Sequence, residues 1–209
     1  MKELIDLYKE ESNNAFLSIS TEDIIRFYNM ILVAYKNENK IFSCGNGGNV
    51  ASVCNLVLDL NMHPFVSEDK TERKGKRNKF HAISLCDSPA AITGMVNDIG
   101  FEKIFSEQLK YQAEANDILF AMSGSGNSKN IVEALKIAKT MNMKTVLITR
   151  NENTKSDEYA DLILRVKGIS KFPGNTGGNN NNFHYEDVIS KISHIIVGLL
   201  KKYVQENEN

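Results

Sequence analysis

Apolar positions recur at two spacings along this chain, and the alternation between them predicts its architecture. The N-terminal stretch has helical spacing: Leu4, Tyr8 and Ala15 lie near one face of a first helix. After Ser20-Thr21-Glu22-Asp23, a capping sequence, Ile24, Tyr28, Ile31, Leu32 and Tyr35 repeat at the spacing of a second helix. From residue 40 onward, short apolar runs alternate with helical stretches. Residues 40–44, 80–85, 117–122, 144–149 and 162–166 read as strands, and residues 49–60, 129–142 and 185–204 as helices. Within 129–142 the inward face is Ile131, Ala134, Leu135, Ala138 and Met141. Helical material also opens after the second strand, where Asp87 suits the N-cap and Pro89 the first turn. Strands alternating with helices predict an α/β fold with a parallel sheet covered on both faces. One small sheet cannot bury the leading helical pair as well, so that pair is expected to pack on another subunit.

Composition narrows the picture. The chain has 209 residues, of which 42% are hydrophobic, enough for one domain with a sizeable core. Residues 1–37 form its helical lead and 38–209 its α/β body. The net charge of −1 gives no electrostatic argument for nucleic acid or a membrane surface as partner. No apolar run approaches a membrane span, and MKELIDLYKEE reads as charged helix rather than signal peptide. Cys44, Cys54 and Cys86 form no close pairing pattern, which fits a reducing cytoplasm and small buried side chains. Two stretches read as flexible loops. Residues 67–79 carry a charge run that includes Glu68, Arg73, Lys76 and Arg77, and 173–182 is a Gly/Asn tract that could order over a ligand.

The candidate chemistry lies in two turns. Met122-Ser123-Gly124-Ser125-Gly126-Asn127-Ser128 sits between a strand and a helix. Its glycines admit close backbone approach, its serines offer hydroxyl donors, and the helix start adds N–H groups and a positive dipole end. This is a cradle for a phosphate; the competing reading is a capping loop in which Ser128 or Asn127 merely starts the helix. Gly45-Asn46-Gly47-Gly48 has the same strand–turn–helix setting. It has neither a dinucleotide fingerprint nor a P-loop lysine, so no nucleotide cofactor is expected. Ligands of parallel sheets bind at the carboxyl ends of strands, where both turns fall.

Four elements in order then resemble a known family: Cys44 to Gly48, Val96-Asn97-Asp98-Ile99-Gly100-Phe101-Glu102, Ser123 to Ser128, and a late helix bearing His194. The chain resembles the phosphoheptose isomerases of the sugar isomerase (SIS) fold. The resemblance implies an SIS-type three-layer αβα sandwich with a five-stranded parallel sheet and a leading helical pair, a homotetramer, and active sites between subunits. It also implies a small-molecule sugar phosphate as partner, and aldose–ketose isomerisation of sedoheptulose 7-phosphate to D-glycero-D-manno-heptose 7-phosphate through an enediol, feeding heptose into lipopolysaccharide or capsule. On its motifs, Asn46, Gly47, Gly48, Asn49, Asn97, Asp98, Ser123, Gly124, Ser125, Ser128 and Glu186 would bind substrate. Gly124 stands where the family has threonine, and Asn49 where it usually has serine.

Isomerisation needs a base for the proton beside the carbonyl and an acid–base group for the two oxygens. Asn55 and Asp59 are spaced to share a helix face, and Glu186, Ser190 and His194 form a stripe on the last helix. The resemblance assigns catalysis to Asp59, in place of a longer glutamate, and to His194. It implies a zinc site at Asp59, Glu186 and His194, with Asn55 replacing a usual histidine ligand and His63 falling where an arginine is common. Three ligands plus water would still match a catalytic Zn2+. The departures at Asn55, Asp59 and Gly124 leave two alternatives open. One is a non-catalytic phosphosugar-binding or regulatory protein of the replication-initiator-binding type; the other is an isomerase of another phosphosugar.

Overall fold

The computed structural model describes residues 1–75 and 79–208. Two helices lead, α1 (Lys2–Leu17) and α2 (Thr21–Asn37). Then come β1 (Ile41–Gly45), α3 (Gly48–Met62), β2 (Ala82–Ser84), α4 (Pro89–Ile99), α5 (Ile104–Gln112), β3 (Ile118–Met122), α6 (Lys129–Thr140), β4 (Lys144–Thr149), β5 (Leu162–Arg165) and α7 (Asn182–Asn207). The strands form one parallel sheet in the order β2-β1-β3-β4-β5. The predicted strands and principal helices are all present, shifted by a few residues at their ends.

Alternation within the strands builds two cores. Ile41, Ile118, Phe120, Val146 and Ile148 face α2, α3 and α7, while Phe42, Leu119, Ala121 and Leu147 face α5 and α6. Every residue of β1 and of β3 is buried, as expected of strands covered on both faces. The strand order reverses between β1 and β3, which places the ligand crevice of such a sheet beyond their carboxyl ends. Both glycine turns leave from there. Gly45 is required at the end of β1, because a Cβ would fall 2.6 Å from Asn49 Cβ and 3.3 Å from Met122 Cβ.

Several expectations are corrected. Ser88, not Asp87, caps α4: its side chain accepts the Ala91 N–H at 3.1 Å, and Asp87 instead accepts from Cys54 Sγ. Leu4 is exposed and does not share the buried face of Ala15. The inner face of the leading pair is covered within the chain, while Leu4, Ile5, Leu17, Ile25 and Val33 of the same two helices stay exposed, as packing on another subunit would require. Tyr8 donates to Asp187 on α7, and buried His184 meets Glu11. The Gly/Asn tract is tied down rather than open: Arg150 donates to the carbonyls of Asn180 and Gly178, and Asn175 Oδ1 accepts the Phe183 N–H. In the charged stretch, Asp69 holds Ser67 and Thr71, and Val66 bridges Arg73. Lys76 and Arg77 lie outside the described residues.

Candidate active site

The serine loop is a built turn. Gly126 has φ +64° and donates its N–H to both the carbonyl and the hydroxyl of Ser123. A Cβ there would fall 2.4 Å from Thr154 Oγ1. Ser125 Oγ accepts the Asn127 N–H at 3.2 Å. Ser128 occupies the N-cap of α6, yet its hydroxyl does not cap the helix; it meets the Ser123 hydroxyl at 3.4 Å. This argues against the plain capping reading. The first turn of α6 keeps its dipole and N–H groups for another acceptor, beside three serines. Gly124 is buried, and a Cβ on it would crowd Arg150 Nε at 3.0 Å and Asn182 Oδ1 at 3.2 Å. The family's threonine would therefore not fit without moving Arg150.

The first glycine turn is locked to the serine loop by a residue that the sequence did not single out. Asn46 and Asn130 exchange amide hydrogen bonds at 2.9 and 2.8 Å, and Asn130 is fully buried. Gly47 has φ +56°, and Asn49 Oδ1 is buried without a partner among the described residues. A Cβ on Gly48 would lie 2.6 Å from Glu186 Oε1, and Glu186 accepts from Asn182 at 2.9 Å. Glu186 thus belongs to the loop end of the site. Asn97 and Asp98 are exposed on α4, where Asn97 donates to Asp98; no described hydrogen bond joins either to the serine loop or to Asp59.

Asp59 and His194 do come together. Helices α3 and α7 run side by side in the same direction, with Gly48 against Glu186 at one end and Asp59 against His194 at the other. His194 Nε2 lies 3.7 Å from Asp59 Oδ2. His63, one turn beyond Asp59, lies 3.3 Å from Oδ1. The carboxylate side chain is 11% exposed, beneath imidazoles that are 42% (His63) and 64% (His194) exposed. These three, with Asn55, Gly198 and Lys201, line a cleft of about 420 Å³.

The implied zinc set does not form in one chain. Glu186 precedes His194 by eight residues, about 12 Å along a helix axis, and its carboxylate points to Gly48. Among the described residues no group of three or more His, Cys, Asp or Glu is arranged to hold a metal ion. Asn55 lines the cleft but supplies only a weak amide donor. Of the three thiols expected to be buried, Cys44 is, while Cys54 and Cys86 are half-buried. Burial pushes Cys44 far above the ordinary thiol range and Cys86 up to about 11, and burial with neighbouring Asp87 raises Cys54. All three stay protonated at neutral pH and are poor nucleophiles. No helix among the described residues is long and apolar enough to cross a membrane.

Comparison with known proteins bears on the family and the fold. The SIS domain family model matches residues 8–150, which include both glycine turns and Asp59. Phosphoheptose isomerase of Buchnera aphidicola is 33% identical over 190 residues, 89% of this chain and 86% of its own. That of Aliarcobacter butzleri is 36% identical over 131 residues, 63% of this chain and 65% of its own. The solved phosphoheptose isomerase of Neisseria gonorrhoeae superposes with a TM-score of 0.79 over 96% of this chain and 98% of its own, at 23% identity.

Proposed function

The chain belongs to the phosphoheptose isomerases of the SIS-domain proteins, and from that premise we propose that it interconverts sedoheptulose 7-phosphate and its aldose isomer through an enediol. The observation that carries the reading is the meeting of Asp59 and His194, from two different helices, across one cleft. The serine loop takes the phosphate through its hydroxyls and the start of α6. Asp59 removes the proton from C1 of the ketose, and His194 delivers one to the carbonyl oxygen at C2, giving the enediol. His194 then takes the O1 proton as C1=O forms, and Asp59 gives its proton to C2, which returns both side chains to their starting states. Near-neutral imidazole chemistry suits the oxygen-to-oxygen transfer, and a carboxylate suits the carbon. Within one chain Asp59, Glu186 and His194 do not gather as a three-ligand set, and the steps above use side chains alone.

A homotetramer with sites between subunits completes the reading. Within one chain the serine loop meets α7 at Asn182 and Tyr185, whereas His194 lies at least nine residues on, about 13 Å along the axis. A second copy that brings its own Asp59 and His194 towards this loop closes that gap. Helix α4 supports such an interface. It is rich in apolar residues yet buries none, and Val96, Ile99 and Phe101 at its end stand exposed, as do Leu58 and Met62 beside Asp59. Sugar-phosphate turnover is tested by following aldose formation from sedoheptulose 7-phosphate. Asp59→Asn and His194→Ala are expected to lower kcat by about 100-fold or more with little change in KM. Ser125→Ala should raise KM instead. No aldose from the unaltered protein with any seven-carbon ketose phosphate overturns the proposal.

A further inference from the structure

The cleft contains an imidazole that the reaction above does not use. His63 stands one helical turn beyond Asp59, so both side chains project from the same face of α3. Its place is fixed by the backbone. The His63 N–H bonds back to the Asp59 carbonyl as the helix ends, Pro64 follows, and Phe65 is fully buried against Tyr35 with ring centroids 5.7 Å apart. The imidazole therefore sits on a rigid corner rather than a free loop. Nε2 lies 3.3 Å from Oδ1 of Asp59, while Oδ2 faces His194 at 3.7 Å. Among the described residues these two rings are the only side chains in ion-pair contact with that carboxylate; Lys201, the other cation at the cleft, pairs with Glu68 at 3.0 Å.

A carboxylate acting as a base on carbon must present one oxygen along one direction. An aspartate is free to turn about its last bond unless its other oxygen is held. We propose that His63 is a positioning residue for the Asp59 base: it engages Oδ1 and so leaves Oδ2 aimed at the substrate carbon beside His194. At 3.3 Å the two groups are in ion-pair contact, and catalytic contacts commonly tighten when ligand fills the site. The inference rests on the isomerase reading and adds a residue that this reading does not require.

The test pairs a kinetic measurement with one that needs no turnover. His63→Ala is expected to lower kcat by about 10- to 100-fold, the cost of a mispositioned reacting group, with KM within about twofold and an unchanged melting temperature. His63→Gln keeps an N–H donor and is expected to recover most of that loss. An alanine variant with wild-type kcat, or a glutamine variant as slow as alanine, overturns the proposal. In parallel, histidine-labelled protein is followed by long-range proton–nitrogen NMR. Asp59→Asn is expected to shift the His63 Nε2 resonance, and an unmoved resonance overturns the contact. If the wild-type protein turns over no sugar phosphate, the isomerase reading fails by itself and the NMR result still decides whether His63 holds Asp59.

Discussion

Some residues of the candidate site can be read from the chain, and others cannot. Ser123, Ser125 and Ser128 stood out because hydroxyls, glycines and a helix start coincide there. Asp59 and His194 stood out only through the family resemblance; in isolation each resembles an ordinary helix residue. Asn130 left no signal, since a polar residue in the first turn of a helix is normally solvated. Only the fold shows that it is buried and paired with Asn46. Asp87 and Ser88 are both good caps side by side, and composition alone does not choose between them. Glu186 shares a stripe with His194 in sequence, but two helical turns separate them and Gly48 leaves room for its carboxylate at the other end. One consequence belongs at this scale. Gly126→Ala combines a positive φ with a steric conflict at Thr154, so it should destabilise the protein by about 1–3 kcal/mol and weaken inorganic phosphate binding. Denaturant unfolding and calorimetric titration check the two effects; wild-type stability would show that the turn adjusts freely.

At the scale of elements, the strands were the most legible part. A run such as Ile118 to Met122, buried throughout, has no helical period and no polar face. The α/β alternation implied a parallel sheet, but the strand order is not written in any one segment and comes from the fold. The site itself arises where β1 and β3 lie side by side and send out two glycine turns. The Asn46–Asn130 pair joins those turns across the sheet's switch point. Asn46→Ala and Asn130→Ala should therefore each weaken phosphate binding, and the double variant should be little worse than either. The expected coupling is about 0.5–3 kcal/mol, as for residues in direct contact. Strictly additive losses in a double-mutant cycle would show that the two turns bind independently. The Gly/Asn tract misled for a physical reason: its composition favours disorder, but Arg150 donates to two of its carbonyls and buried Asn175 pins it to the start of α7.

Over the whole molecule, carboxylates that tie distant segments together set the response to acid. Burial pushes Glu11 up, but the bonds from Ser170, the Lys171 N–H and His184 outweigh it and hold its pKa below the usual range. Asp157 and Asp161 show the same balance, with Thr154 and Arg165 around one and Lys139 and Thr145 around the other. A carboxyl depressed in the folded state adds stability above its unfolded pKa, and that stability is lost as pH falls through the folded value. Melting temperature should therefore hold near neutrality and fall below the ordinary carboxylate range, with Glu11→Gln making the fall shallower. An identical acid profile for that variant would remove Glu11 from the account. Assembly is tested at the same scale. The protein should sediment as a tetramer, and Val96→Glu, on the exposed face of α4, should dissociate it and lower turnover together. A fully active monomer would refute sites shared between copies.

The central claim is that a phosphate held by the serine loop brings a sugar carbon to Asp59 and His194. Its most direct measurement is deuterium entry at C1 of sedoheptulose 7-phosphate in heavy water, followed by proton NMR. The account predicts steady loss of one of the two C1 proton signals with the wild-type protein and none with Asp59→Asn, although that variant still binds the phosphate. Equal exchange by both proteins, or no exchange by either, would contradict it.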